Sequence, residues 1–232
     1  MTIERTKEII MEVYPDATIS EERVVKTNGN VKNGIKVNIG KVCPVFYPEE
    51  YFSEEQLRNT LLSPIPDFNL ENRNVIECAV NFEKNKEILE KTDYRMVCDL
   101  AIFKKIVFDD IDEEGLKGFA VLPKSIGNYT LIRDYDTLAM PPSLTVITNK
   151  YKMYGAGVIG DTDYLKTLHK EHGDFYILPS SVHEIIIVPF SNMDVEMMKN
   201  MVKEINTTQV KPEEVLSDNV YMFKGEEVEI AE

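Results

Sequence analysis

Apolar residues recur along the chain at two spacings, and the change from one to the other marks out its elements. Near the start, Ile3, Ile10, Val13 and Tyr14 share one face of a 3.6-residue period, with Ile9 beside it. That pattern predicts an amphipathic helix from Thr2 to about Tyr14, ended by Pro15, which has no N–H to donate. Residues 22–27 and 35–46 read as strands, with Asn28-Gly29-Asn30 and Asn33-Gly34 supplying the positive-φ residues of tight turns. Ser53 with Gln56 forms a capping box, and Phe52 and Leu57 occupy hydrophobic-staple positions. The short helix they start runs to about Leu62 and stops before Ser63-Pro64-Ile65-Pro66.

Beyond that loop, Val75–Phe82 alternates as a strand, and Glu83–Lys91 reads as a helix with Ile88 and Leu89 inward. Met96–Phe108 reads as one long buried strand, followed by the acidic turn DDIDEEG (109–115) and a strand at Phe119–Leu122. Over 123–142 no period is defined, and Pro141-Pro142 closes that segment. Leu144–Thr148 and Met153–Ile159 read as paired strands about Asn149-Lys150. Asp161 or Thr162 caps a helix that carries Tyr164, Leu165 and Leu168 inward and ends at Gly173. Phe175–Leu178 and His183–Val188 read as strands on either side of a Pro179-Ser180-Ser181 turn. Ser191 is placed to cap the strongest helix, in which Met197, Met198, Met201, Val202 and Ile205 repeat at helical spacing. Pro212 opens one short turn, and Val220–Phe223 with Val228–Ile230 form a hairpin around Gly225.

Strands outnumber helices and arrive in hairpin-like pairs. The expected fold class is therefore α+β, a mixed, mostly antiparallel sheet with flanking helices, rather than a doubly wound sheet. One domain over 1–232 is expected. The Pro- and Asn-containing stretch 63–74 would divide it into an N-terminal subdomain, 1–66, and a C-terminal core, 67–232. There is no internal repeat and no low-complexity segment.

Composition narrows the function classes. A chain of 232 residues, 43% of them hydrophobic, buries roughly 70% of its unfolded surface and needs no metal or disulfide staple. The net charge of −14, from 40 acidic against 26 basic residues, disfavours direct nucleic-acid binding and binding to anionic membranes. The carboxylates are spread along the chain, which weighs against an acidic decoy for a basic surface. Cys43, Cys78 and Cys98 are odd in number and form no CxxC pair. The charged start, MTIERTKEII, lacks the apolar run of a signal peptide, and Ile185–Val188 is far too short to span a membrane. The expected location is cytoplasmic, with reduced thiols.

All three histidines fall within Tyr151–Phe190, so chemistry is sought there first. His183-Glu184 lacks the second histidine of the zinc-protease motif, since Ile187 stands where it should be. His169 and His172, at i, i+3 near a helix end, are the candidate metal ligands. A composite site would add His183 and a carboxylate; the plainer reading is two residues complementing the helix dipole. DDIDEEG begins like a calcium loop, but Lys117 and Val121 break the pattern. YGAGVIG (154–160) is neither GxGxxG nor a P-loop, and its glycines are better explained by close backbone approach. Cys98 beside Asp99 reads as a buried inert thiol. Ser180-Ser181 carries no GxSxG elbow. The methionine-rich helix is most simply core, with an adaptable binding face as the alternative.

In this order, NFEKNKEIL (81–89), CDLAIFKKIV (98–107), ITNKYKMYGAGVI (147–159), DFYILPSSVHEIIIVP (174–189) and VLSDNVYMF (215–223) resemble an uncharacterised bacterial family classed only as a domain of unknown function. The likeness runs over roughly 30–225, with ILPSSVHE and LSDNVY its most specific parts; over 109–142 the family carries a longer helical stretch with a Trp, which this chain lacks. The resemblance implies a bacterial or phage-borne intracellular protein and transfers no catalytic residue.

Two functions remain. The first is a soluble, noncatalytic protein-binding or regulatory protein, associated with phage or a mobile element, acting on another protein and needing no cofactor. The second is a hydrolase-type enzyme with a site at His183, Glu184 and Ser181, assisted by Tyr154 beside YGAG. It is motivated by the polar cluster PSSVHE between two apolar strands.

Overall fold

The computed structural model describes residues 1–39, 43–63, 73–108, 118–124, 126–140, 144–190 and 194–232. The acidic turn 109–115, the prolines of 64–66 and 141–142, and Ser191 as a helix cap lie outside the described residues. The chain folds as two compact units.

In the first unit, helix α1 (Ile3–Val13) is capped by Thr2, whose side chain accepts the Arg5 N–H. An antiparallel sheet follows, with strands β1 (Thr18–Val25), β2 (Val31–Asn38) and β3 (Val45–Phe46). Helix α2 (Glu54–Leu62) starts at Ser53, which accepts the Gln56 N–H. The capping half of the predicted signature holds; the staple does not, because Phe52 is 96% exposed while Leu57 is buried. Ile9, Ile10, Ile35, Val37, Leu57 and Leu61 form this unit's core.

The second unit is α+β with mostly antiparallel sheets. Its first sheet is built from β4 (Arg73–Asn81), β5 (Tyr94–Val97), β6 (Leu100–Phe108), β7 (Gly118–Val121) and β8 (Tyr129–Leu131), with helix α3 (Lys86–Leu89) after β4. The β4–β8 pairing is parallel. The long strand predicted over Met96–Phe108 is two strands joined at Cys98-Asp99. Val97 pairs with Leu100 across that turn, and Cys98 takes φ 53°. The second sheet comprises β9 (Tyr135–Met140), β10 (Leu144–Asn149), β11 (Phe175–Ser181), β12 (Glu184–Pro189), β13 (Tyr221–Phe223) and β14 (Val228–Ile230), ordered β14-β13-β11-β12-β10-β9. Helix α4 (Thr162–His172) precedes β11, and helix α5 (Val195–Thr208) follows β12.

Three expectations fail here. Residues 155–160 are a helical turn rather than a strand: Lys152 and Tyr154 adopt φ 55° and 58°, which breaks the extended run. Pro179, Ser180 and Ser181 belong to β11, and Val182-His183 forms the turn. Asp194 caps α5, accepting the Glu196 N–H.

The main core lies where the two sheets face each other. Ala79, Leu100 and Ile102 meet Ile147, Phe175, Ile177, Ile185, Ile187, Tyr221 and Phe223, with Leu165 and Leu168 of α4 closing one side. The opposite face of the second sheet carries α5, seated by Met198 and Val202 on Leu178, Val188 and Val220.

Candidate functional site

The sequence features that looked chemical converge where the ends of β10, the 155–160 turn and the β11–β12 turn meet. Thr148 donates its hydroxyl to the His183 carbonyl at 2.8 Å. Gly155 packs against the same groups: a Cβ there would lie 2.5 Å from the Asn149 nitrogen and 2.6 Å from the His183 oxygen. Gly157 lies against the Glu77–Cys78 peptide of β4, where a Cβ would press into the Glu77 carbonyl. Both glycines are therefore required by backbone approach. The Val182 N–H donates to the Glu214 carbonyl, and the Ala156 N–H to the Val182 carbonyl.

His183 is half-buried at this junction. Its Nδ1 accepts the Tyr154 N–H at 3.1 Å; that nitrogen is therefore unprotonated, and the neutral ring carries its proton on Nε2. Nε2 faces Glu214 Oε1 at 3.8 Å, too far for a hydrogen bond. Burial holds the imidazole pKa below its usual value; Glu214 and Glu184 oppose the shift, while Lys105 adds to it. Ser181 accepts the main-chain N–H of His183, and Ser180 donates to Glu184 Oε1 at 3.2 Å. The three catalytic candidates are thus close together, but these contacts do not join a hydroxyl to an imidazole nitrogen as a nucleophile–base pair.

Besides Glu214, the residue of this cluster absent from the sequence-based expectations is Lys105. It is 8% exposed, and its ammonium lies 3.5 Å from the centre of the Tyr154 ring, which a second ring, Phe119, meets edge-on at 5.3 Å. A cation–π contact in a desolvated setting stabilises a buried ammonium by ~2 kcal/mol. The left-handed backbone at Tyr154 serves both partners, giving its amide to His183 and its ring to Lys105.

The other candidates are dispersed. His169 Nε2 contacts Asp174 at 2.8 Å and its ring meets Phe223 edge-on; His172 faces Glu171 at 3.8 Å. Among the described residues, no group of three or more His, Cys, Asp or Glu side chains could hold a metal ion. Burial pushes the Cys78 thiol up to about 12 and raises Cys98 as well, so neither is an activated thiolate. Cys98 sits at the β5–β6 turn rather than within a strand. Its neighbour Asp99 receives the Tyr221 hydroxyl at 2.7 Å and the Ser217 hydroxyl at 2.9 Å. That is the structural meaning of LSDNVY: its hydroxyls tie the β13 approach to the β5–β6 turn.

A polar pocket of about 400 Å³ lies between Glu77, Arg95, Lys104, Arg133 and Gly160–Asp163. Arg95 forks onto Glu77 at 2.7 and 3.1 Å and reaches the Gly160 carbonyl. Asp161 accepts the Tyr135 hydroxyl at 2.9 Å and caps α4 through the Tyr164 N–H. Its charges are largely engaged with one another.

The α5 face of the second sheet is different in kind. The register places Leu178, Ile186, Val146 and Leu138 in one row across β11, β12, β10 and β9. Burial falls away along this row: Leu178 is covered, Ile186 and Val146 are half-covered, and Leu138 is 64% exposed. Met140 pairs with Leu144 in the next row and is also exposed. On α5, Asn206 reaches the Ser217 carbonyl and Asp218, which precede β13. Met201 and Ile205 therefore flank the other side of the helix, toward β12 and β10, with Met197 above them. All three are exposed. The single apolar face expected for α5 is thus two surfaces, one buried through Met198 and Val202 and one open.

No curated protein and no solved structure matches the chain. Tyr154, the 155–160 turn, His183, the LSDNVY segment and most of the α5-bearing sheet fall within residues 121–225, the segment that matches a family of unknown function, DUF5688, whereas Lys105 and Asp99 lie outside it.

Proposed function

We propose that the chain is a noncatalytic protein-binding module that engages its partner through the open apolar flank between α5 and β9. The observation that carries this reading is the exposure of Leu138, Met140, Met197, Met201 and Ile205 on one flank, beside the half-covered Ile186 and Val146. Apolar patches of this kind mark interaction sites in soluble proteins, and methionine adapts to the partner it meets. The His183 cluster supports the same reading from the other side: its contacts hold turns together and join no nucleophile to a base.

The test compares capture from an extract of the producing organism by the wild-type protein, a Leu138→Asn/Met201→Gln variant and a His183→Gln variant. A partner retained by wild type and His183→Gln but lost with the double variant is the expected result. Equal capture by all three, or a turnover abolished by His183→Gln, overturns it.

A further inference from the structure

We infer that the open flank is a seat for one amphipathic helix of a partner protein, with basic residues bordering its apolar face. The inference rests on the binding reading above and adds the shape and charge of what binds.

Shape comes from the sheet. Neighbouring strands lie about 4.8 Å apart, and α5 packs over β11. In the order β11-β12-β10-β9, a helix lying over β10 would run about 10 Å from α5, at the upper end of the 8–10 Å at which helices pack side by side. There it would cover Ile186, Val146 and Leu138 from below and meet Met201 and Ile205 from the side. An extended strand added at the β9 edge would leave Ile186, Val146 and the α5 methionines uncovered.

Charge comes from the border. Glu184 precedes Ile186 by two residues and Asp136 precedes Leu138 by two, so both lie on this face of the sheet. On α5, Glu204 adjoins the Met201–Ile205 column, and Asp194 caps the first turn. Lys199 and Lys203 fall on the opposite flank, toward β13. The border is therefore acidic, on a chain whose net charge is −14. A second copy docking by twofold symmetry would bring this border against itself and set like charges together. A basic partner meets opposite charge at Glu184, Asp136, Glu204 and Asp194.

The experiment titrates protein carrying ¹³C-methyl methionine with a synthetic Leu/Lys amphipathic helix and, separately, with a Leu/Glu helix of the same pattern. The Leu/Lys helix is expected to shift Met140, Met197 and Met201 while leaving Met11, Met96 and Met153 in place. The Leu138→Asn/Met201→Gln variant should weaken it about tenfold or more. Equal binding of the Leu/Glu helix, shifts spread over all exposed methionines, or no shift with either peptide overturns the inference. Concentration-dependent shifts of the same three methyls without peptide also overturn it, in favour of a second copy. If the peptides fail but capture of a partner from extract still depends on Leu138 and Met201, only the helix inference falls. If capture is indifferent to both residues, the binding reading falls with it.

Discussion

The His183 junction and the α5–β9 flank lie in the same unit and invite opposite readings. At the junction, the conspicuous residues are engaged: Gly155 and Gly157 by backbone approach, Thr148 and Ser181 by main-chain bonds, and His183 by the Tyr154 amide. On the flank, ordinary residues such as Leu138, Met140 and Met201 lie open. Residue types rich in chemistry can be consumed by architecture, and a site for a partner can be made from residues that look like core. What separates the two regions is satisfaction: buried polar groups with partners fix a fold, whereas exposed apolar groups without them leave free energy for association.

If the junction is architectural, Gly157→Ala should give the largest effect of any change considered. Its Cβ would meet the Glu77 carbonyl and lie 2.8 Å from the Cys78 nitrogen, both of them backbone atoms that cannot swing aside. A loss of about 3 kcal/mol or more, or failure to fold, is expected. Urea denaturation reads it, and a near-native midpoint would show that the turn is not locked onto β4. Tyr221→Phe comes next. Tyr221 is fully buried, and burial, then Asp99, holds its phenol protonated as a donor to that carboxylate. Removing the hydroxyl should cost about 1.5–3 kcal/mol, the range for hydrogen bonds to a charged group. The loss should shrink in an Asp99→Asn background, since the two residues share one bond.

A smaller effect tests His183 itself. His183→Gln should lower stability by about 1 kcal/mol by disturbing the acceptor of the Tyr154 N–H. It should also remove a pH dependence. The folded pKa lies below the ordinary value, so as pH falls through about 6.5 the unfolded chain takes up a proton that the folded chain resists. Stability contributed by the neutral ring is complete above about pH 7.5, declines below about 6.5, and levels off once the folded imidazole titrates. Denaturation midpoints measured across this range should show the step in wild type and lack it in His183→Gln. The same step in both proteins would assign it to another group.

How much of this was legible depended on whether the deciding force was local. Helices α1 and α4 and the hairpin around Gly225 were readable, because caps, breakers and period act within a few residues. The 155–160 turn is not legible locally: Val158 and Ile159 look like a strand, and what decides their conformation is the fit of Gly157 against a distant peptide. Lys105 carries a signal of its own: with Lys104 and Lys105 adjacent in an apolar strand, alternation must turn one of them inward. On α5, Met197 through Ile205 sweep an arc wider than the roughly 100° a single core contact occupies. That excess was the sequence's sign of a second surface.

The smallest predicted effect on stability tests the other half of the comparison. Leu138 and Met201 are 64% and 40% exposed, so removing apolar surface there opens no cavity and leaves no buried polar group unpaired. Leu138→Asn and Met201→Gln should each move the folding free energy by no more than about 0.5 kcal/mol, the usual range for surface changes. Met198→Gln, three positions away on the same helix, buries an amide against Leu178 and Val188 and should be costly through unpaired polar atoms. If Met201→Gln destabilised as strongly as Met198→Gln, the flank would be part of the core and its exposure no sign of a partner. If it is silent in denaturation while capture or helix binding falls, those side chains act in association rather than in folding.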